Sequence, residues 1–177
     1  MLLTQKDVEL VLQQCENQGA LSPRDISGFA TAYADAKHVA LRYGDNFNDR
    51  WSGKTLMADE LEKLILHWAV LVDEKNKSGY RKVSVSFKDG SLGLNHQLVP
   101  RAMQNLCHVF VEGNFTSAEA VYREFETIHP FVDGNGRVGH LAWALVHFHR
   151  TLIWPDTLPP NLWENVTAGD TNADVRP

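Results

Sequence analysis

HPFVDGNGRVGHLAWALVHFHR, residues His129–Arg150, is the stretch from which the fold is read. Its second part, Val138–Arg150, is apolar nearly all round, with Leu141, Ala142, Trp143, Ala144, Leu145, Val146 and Phe148 in close succession. A helix of that kind belongs at the centre of a bundle, where every side is covered from water. Its first part, His129–Arg137, reads as a loop. His129 ends one helix, Pro130 and Phe131 shape the turn and pin it to the core, and Gly134, Asn135 and Gly136 make a tight turn into the buried helix.

Working outward, most of the chain carries helical spacing. Leu2–Asn17 places Leu3, Leu10 and Val11 on one face and ends near Gly19. Ser22-Pro23 is a cap followed by proline at the first helical position, continued by Ile26, Phe29, Ala30 and Tyr33. Arg42–Lys54 reads as a loop around Trp51. After Thr55 a long helix buries Leu61, Leu64, Ile65, Trp68, Leu71 and Val72. The period then changes: Val83, Val85 and Phe87 alternate with polar residues and Asp89-Gly90 offers a tight turn, so a short β-hairpin is expected over Tyr80–Leu94. Helix returns over Val99–Val111, and Thr116-Ser117-Ala118-Glu119 reads as a capping box opening a helix through Glu126. Pro155, Pro159 and Pro160 stop helix formation; Leu162 and Trp163 are expected to dock back, and Thr167–Pro177 to fray. The fold class is mainly α: one helical bundle with one short β-hairpin.

Bulk properties agree with one compact domain. The chain has 177 residues, 44% hydrophobic and 22% charged, with net charge −5, so no overall basic character asks for nucleic acid. The two cysteines, Cys15 and Cys107, read as buried, reduced core residues. The start MLLTQKDVEL lacks the pattern of a signal peptide, and Leu64–Val72, broken by His67, is too short for a membrane span. A cytoplasmic protein without membrane or nucleic-acid partners is the expectation.

The loop concentrates chemistry. Glycines let backbone N–H groups approach an anion, and a helix N-terminus adds its positive dipole end, which suits a phosphate. Asp133 offers an oxygen ligand for Mg²⁺, Arg137 a cationic fork, and His129 a base near neutral pH. Each residue also has an ordinary reading: a left-handed turn, a helix cap, a surface charge, a core histidine. Their concentration in one short loop favours the chemical reading.

The segment resembles the signature of the Fic family: His-Pro-Phe, any residue, Asp or Glu, Gly-Asn-Gly-Arg, two residues, Arg. His129, Pro130, Phe131, Asp133, Gly134, Asn135, Gly136 and Arg137 match it. The resemblance covers roughly Leu56–Arg150. It implies an N-terminal helical extension over 1–55, a core over 56–151 and a tail over 152–177. The core would hold a flap at 80–94 and the motif loop at 129–137. It also implies Mg²⁺-dependent transfer of a nucleoside monophosphate, usually AMP from ATP, onto a Ser, Thr or Tyr hydroxyl of a target protein. His129 would be the base and Asp133 would hold Mg²⁺. Gly134, Asn135 and Gly136 would bind the α-phosphate, and Arg137 the β-phosphate. The flap residues Tyr80, Arg81, Lys82, Val83, Ser84 and Val85 would align the target by strand addition.

One position departs from the signature. His140 stands where the family has its final arginine, a γ-phosphate contact; a protonated histidine can still bind phosphate, so His140 is expected among the phosphate-binding residues, and the resemblance leaves three readings. ATP is bound differently, another diphosphate-containing donor such as a phosphocholine carrier is used, or the site is a weakened nucleotide-binding module. The family's self-inhibiting helix (Ser or Thr, three residues, Glu, then Gly or Asn) has only partial echoes, at Leu12–Asn17 and Pro160–Asn165. Neither carries the leading hydroxyl residue, so no built-in inhibitor is expected, which leaves room for a separate inhibitor protein. Trp68, Trp143 and Trp154 read as packing residues, and His67, His96, His108, His147 and His149 as core or surface residues.

Overall fold

Thr4 and Asp7 start the first helix. The Thr4 hydroxyl accepts the Asp7 N–H and the Asp7 carboxylate accepts the Thr4 N–H, so α1 runs Gln5–Asn17 rather than from Leu2. The computed structural model describes residues 3–43, 56–87 and 92–161. Of the loop expected over Arg42–Lys54, Arg42 and Tyr43 are helical instead and the rest lies outside the described residues, as do the Asp89-Gly90 turn, Leu162, Trp163 and Thr167–Pro177. Pro23 opens α2 (Pro23–Tyr43), with the Ser22 hydroxyl accepting the Asp25 N–H at 3.1 Å. α3 (Ala58–Val72) begins where Glu60 reaches back to the Met57 N–H, and a 3₁₀ turn, Glu74–Ser78, follows it.

A second 3₁₀ turn, His96–Leu98, leads into α4 (Val99–Val111). The N-cap of α5 (Ala118–Ile128) is Ser117, whose hydroxyl accepts the Ala120 N–H at 3.1 Å. The capping box expected from Thr116 and Glu119 is therefore not the one used: the cap sits one residue later, which puts Ala120 where the reciprocal acid would be. α6 (Asn135–Thr151) is longer at its start than the expected Val138–Arg150, because Gly134 alone makes the turn, with φ +74°. Asn135 and Gly136 are already helical.

α6 is the central helix, covered by α2, α3 and α5, and each of its residues from Asn135 to Val146 is buried. Leu141 and Leu145 are fully buried, and truncating either to alanine is worth about 2–5 kcal/mol. The N-terminal helices are part of this packing. Lys37 on α2 bonds Asp7 on α1 at 2.8 Å, and the Trp68 indole on α3 donates to Asp35 on α2 at 2.8 Å. Where α2 crosses α3, a Cβ on Gly28 would collide with the Leu71 carbonyl, so only glycine lets the two backbones approach this closely. Trp154 donates to the Tyr33 hydroxyl at 2.8 Å, and Trp68 and Trp143 are buried, so all three are packing residues. Cys15 and Cys107 are buried and unbridged.

The β-hairpin expected over Tyr80–Leu94 is not shown: the described residues form no strand there, only one isolated antiparallel bridge, Ser86 with Leu92, and a Gly93 N–H donating to the Val85 carbonyl at 3.0 Å. Among the described residues no helix is long and apolar enough to cross a membrane.

Candidate active site

His129 is the C-cap of α5 and holds a left-handed backbone, φ +48° and ψ +62°, which costs a residue with a Cβ about 1–3 kcal/mol. A conformation of that kind persists only where its surroundings enforce it, and Arg81 does so. Its N–H donates to the Pro130 carbonyl at 2.9 Å and its Nε to the His129 carbonyl at 2.7 Å. Nη1 meets the Val83 carbonyl and Nη2 the Leu94 and Ile128 carbonyls. Arg81 thus ties both arms of the 80–94 segment to the backbone of the histidine. Although expected on a docking surface, it is 2% exposed and satisfies backbone acceptors inside the protein. Arg81→Met keeps the stem and strands these carbonyls. It is expected to lower stability by about 2–4 kcal/mol in urea denaturation, and a loss below about 0.5 kcal/mol would contradict the hub.

Burial holds the His129 imidazole below its ordinary pKa, the Arg81 guanidinium adding to this against the pull of the Glu126 backbone carbonyl and Asp133. The ring is therefore neutral at pH 7, the state a base requires. The edge of Phe87 meets it, ring centroids 5.2 Å apart.

The loop beyond is held from several sides. The Asn135 side chain accepts the Phe131 N–H at 2.8 Å and donates to the Phe131 carbonyl at 2.9 Å, so it closes the loop on itself instead of facing outward. Tyr80 stacks on Phe131 and donates its hydroxyl to Glu62 at 2.9 Å; it too points inward. Lys82, Val83 and Ser84 are the exposed members of the expected flap set, with Val85 half-buried. Buried Asn76 donates to the Asp133 and Ala69 carbonyls at 2.9 and 3.1 Å. On the other side Gln14 of α1 donates to the Gly136 carbonyl at 3.0 Å, and the Gln18 side chain fills the space beside Gly136.

Asp133 is exposed. One carboxylate oxygen accepts the Gly134 N–H at 2.7 Å and the other meets Lys75 at 2.9 Å. Burial pushes its carboxyl up, but Lys75, the Gly134 N–H and Arg137 outweigh that, so it titrates below its ordinary value and is ionised. Among the described residues the N–H groups of Asn135 and Gly136 have no acceptor, since Gly134 caps α6 without a side chain. An ionised carboxylate therefore stands beside free helix N-terminal donors.

Arg137 is 3% exposed, with Nη1 3.3 Å from the Val72 carbonyl and 3.8 Å from Asp25, which draws it beneath the loop. His140 lies apart from the loop. It is 0% exposed, packed against the rings of Phe29, Tyr33 and Trp143, and neither ring nitrogen has a hydrogen-bond partner. Burial pushes its pKa down to about 3, so it carries no charge to offer a phosphate. The expectation that His140 joins the phosphate contacts does not hold in this arrangement, because α2 covers that face of α6.

The Fic/DOC family profile matches residues 55–146, more than half of the chain and the whole of the geometry just described from Tyr80 to His140. The chain belongs to the Fic/DOC family. It is similar in structure to a Fic family protein from Desulfovibrio desulfuricans G20, at 21% identity and a TM-score of 0.45, over 86% of this chain. The chain spans 60% of the length of that protein. No curated protein matches it. The matched residues include the histidine at the end of α5 and the glycine-capped buried helix α6. Arg81, Asn76, Lys75, Gln14 and Glu126 are neighbours that the motif does not announce.

Proposed function

We propose that this Fic-type protein is a Mg²⁺-dependent protein nucleotidyltransferase, moving AMP from ATP, or another nucleoside monophosphate from its own triphosphate, to a Ser, Thr or Tyr hydroxyl of a target protein. The observation that carries the reading is a neutral histidine beside the unpartnered first N–H groups of α6. A phosphate seated on the Asn135 and Gly136 amides meets the positive end of the helix dipole. His129 takes the proton of the attacking hydroxyl, the hydroxyl oxygen bonds to the α-phosphorus, and the bond to the β-phosphate oxygen breaks, releasing pyrophosphate. Asp133, ionised and exposed, is the residue that would hold Mg²⁺, a hard cation that takes carboxylate oxygens. Bound there, Mg²⁺ neutralises charge on the phosphates. Lys75, which pairs with Asp133, would have to give up that contact for a cation to bind there. Arg137 supplies positive potential from beneath the loop.

The target docks along the 80–94 segment, where Lys82, Val83 and Ser84 are exposed. Val85→Pro removes a ladder donor there, so it is expected to cut protein modification at least about tenfold. Nucleotide affinity and melting temperature should stay unchanged; an equal loss of binding and modification contradicts the docking role.

A second reading concerns the donor alone. The burial of His140 favours a donor whose contacts end at the β-phosphate, which includes diphosphate-linked donors such as a phosphocholine carrier. Incubation with labelled ATP, ADP and a diphosphate-linked donor, with Mg²⁺ and a lysate, separates these. Label from ATP supports nucleotidyl transfer, and label only from the diphosphate-linked donor moves the assignment to the second reading. No label from any of them contradicts both.

A further inference from the structure

We infer that Glu126 is a positioning residue for His129, its carboxylate facing Nδ1 so that the ring keeps its proton there and presents Nε2 as the basic atom. The inference rests on the reading of His129 as the base. Glu126 lies one turn before His129 on α5, and its Oε2 is 3.9 Å from His129 Nδ1. It is 9% exposed, and its Oε1 is buried without a hydrogen-bond partner among the described residues; the buried Nδ1 makes no well-aligned hydrogen bond, although the Glu126 backbone carbonyl also draws the ring toward this side. A carboxylate buried without a donor is costly, which makes one aimed at a buried ring nitrogen a feature to explain.

The packing around it is built to fit. On α6 the facing residue is Gly139, where an added Cβ would lie 2.7 Å from Oε1 and 2.9 Å from the Tyr122 ring. Any side chain there would push the carboxylate out of the gap between α5 and α6. The titratable and charged groups facing the pair are Tyr122 on α5, Arg81 from the 80–94 segment, and Asp133 from the loop. Arg81 disfavours charge on His129 and is already committed to backbone carbonyls, so it cannot neutralise Glu126 without releasing them.

The separation exceeds a hydrogen bond, as is common for catalytic contacts before substrate arrives. When Nε2 takes the hydroxyl proton the ring becomes imidazolium, and its Nδ1–H turns into a strong donor toward the carboxylate. Glu126 thus stabilises the charge that forms on the base and fixes its tautomer, without touching the substrate. Burial raises Glu126 to about 7, so its ionisation falls in the working range.

The test is Glu126→Gln in the full chain, an isosteric change that keeps the packing. Transfer is expected to fall about 10- to 100-fold through kcat, with KM for the donor unchanged. In the wild type the rate rises with pH through about 7 as Glu126 ionises. In the variant that limb is lost, and only the lower one, set by His129, remains; Glu126→Asp restores part of it. NMR titration of the His129 ring supplies a readout independent of transfer: the variant should lower its pKa and change its tautomer signature. An unchanged ring titration together with transfer within about threefold of wild type overturns the inference. Absence of transfer in the wild type would sink the proposed function, while the ring titration still decides whether the pair is coupled.

Discussion

His129→Ala is expected to lower transfer by about 10²–10⁴-fold, the usual worth of a positioned general base, while nucleotide affinity stays within about threefold. The separation of effects follows from the division of labour in the loop. Under the proposed function the unpartnered amides of Asn135 and Gly136 and the Asp133 carboxylate would serve the phosphates and the cation, Arg137 would add its charge from beneath the loop, and His129, the neutral imidazole at the end of α5, would take the proton. Alanine keeps a Cβ at a left-handed backbone, so some strain remains, and His129→Gly relieves it. If both variants melt as the wild type does and both lose transfer, chemistry and not folding is the cause. Transfer within a few-fold of wild type would remove His129 from its role.

His140→Arg restores the residue of the family signature, yet it is expected to unfold the protein rather than improve it. The site is 0% exposed and walled by Phe29, Tyr33 and Trp143, so a guanidinium there has no partner. An unpaired buried charge costs about 3–5 kcal/mol, comparable with the whole stability of many domains. His140→Phe should be at least as stable as wild type at pH 7.5, because it removes two unsatisfied ring nitrogens. Acid sharpens the contrast. The folded pKa of about 3 lies below the ordinary 6.5, so the unfolded chain takes the proton first and stability falls as pH drops below 6.5. Between pH 7.5 and pH 5 the wild type should lose about 2 kcal/mol relative to His140→Phe in urea denaturation. Glu126, raised to about 7, works in the opposite direction, and comparing two chains that both carry it cancels its effect. A stable His140→Arg protein that binds ATP more tightly would show that α2 does not seal this face.

The helices were legible because their signals are local. Pro23, the Ser117 cap region and the apolar run through Leu141–Val146 each fix an element within a few residues. The motif loop was legible because glycine, asparagine and histidine at that spacing have few other uses together. Long-range partners were not. Nothing near Arg81 in sequence says that it will satisfy the carbonyls of Leu94, Ile128 and His129, since those lie 13, 47 and 48 residues further along the chain. Gln14 left a faint signal, a polar side chain on the face of α1 that carries Leu10 and Val11, and its partner at Gly136 is far along the chain. Positions 137 and 140 share a helix face in projection, but α2 covers one and Val72 and Asp25 draw in the other. Spacing predicts faces; only packing decides what lies opposite them.

The central claim is that the loop His129–Arg137 transfers a nucleoside monophosphate to protein hydroxyls. Its most direct test is mass spectrometry of tryptic peptides after incubating the wild-type chain and His129→Ala with ATP, Mg²⁺ and a cell lysate. The wild-type reaction is expected to yield Ser, Thr or Tyr residues bearing the mass of one nucleoside monophosphate, on itself or on a target, and the variant none. Unmodified peptides in the wild-type reaction, or equal modification with His129→Ala, would contradict it.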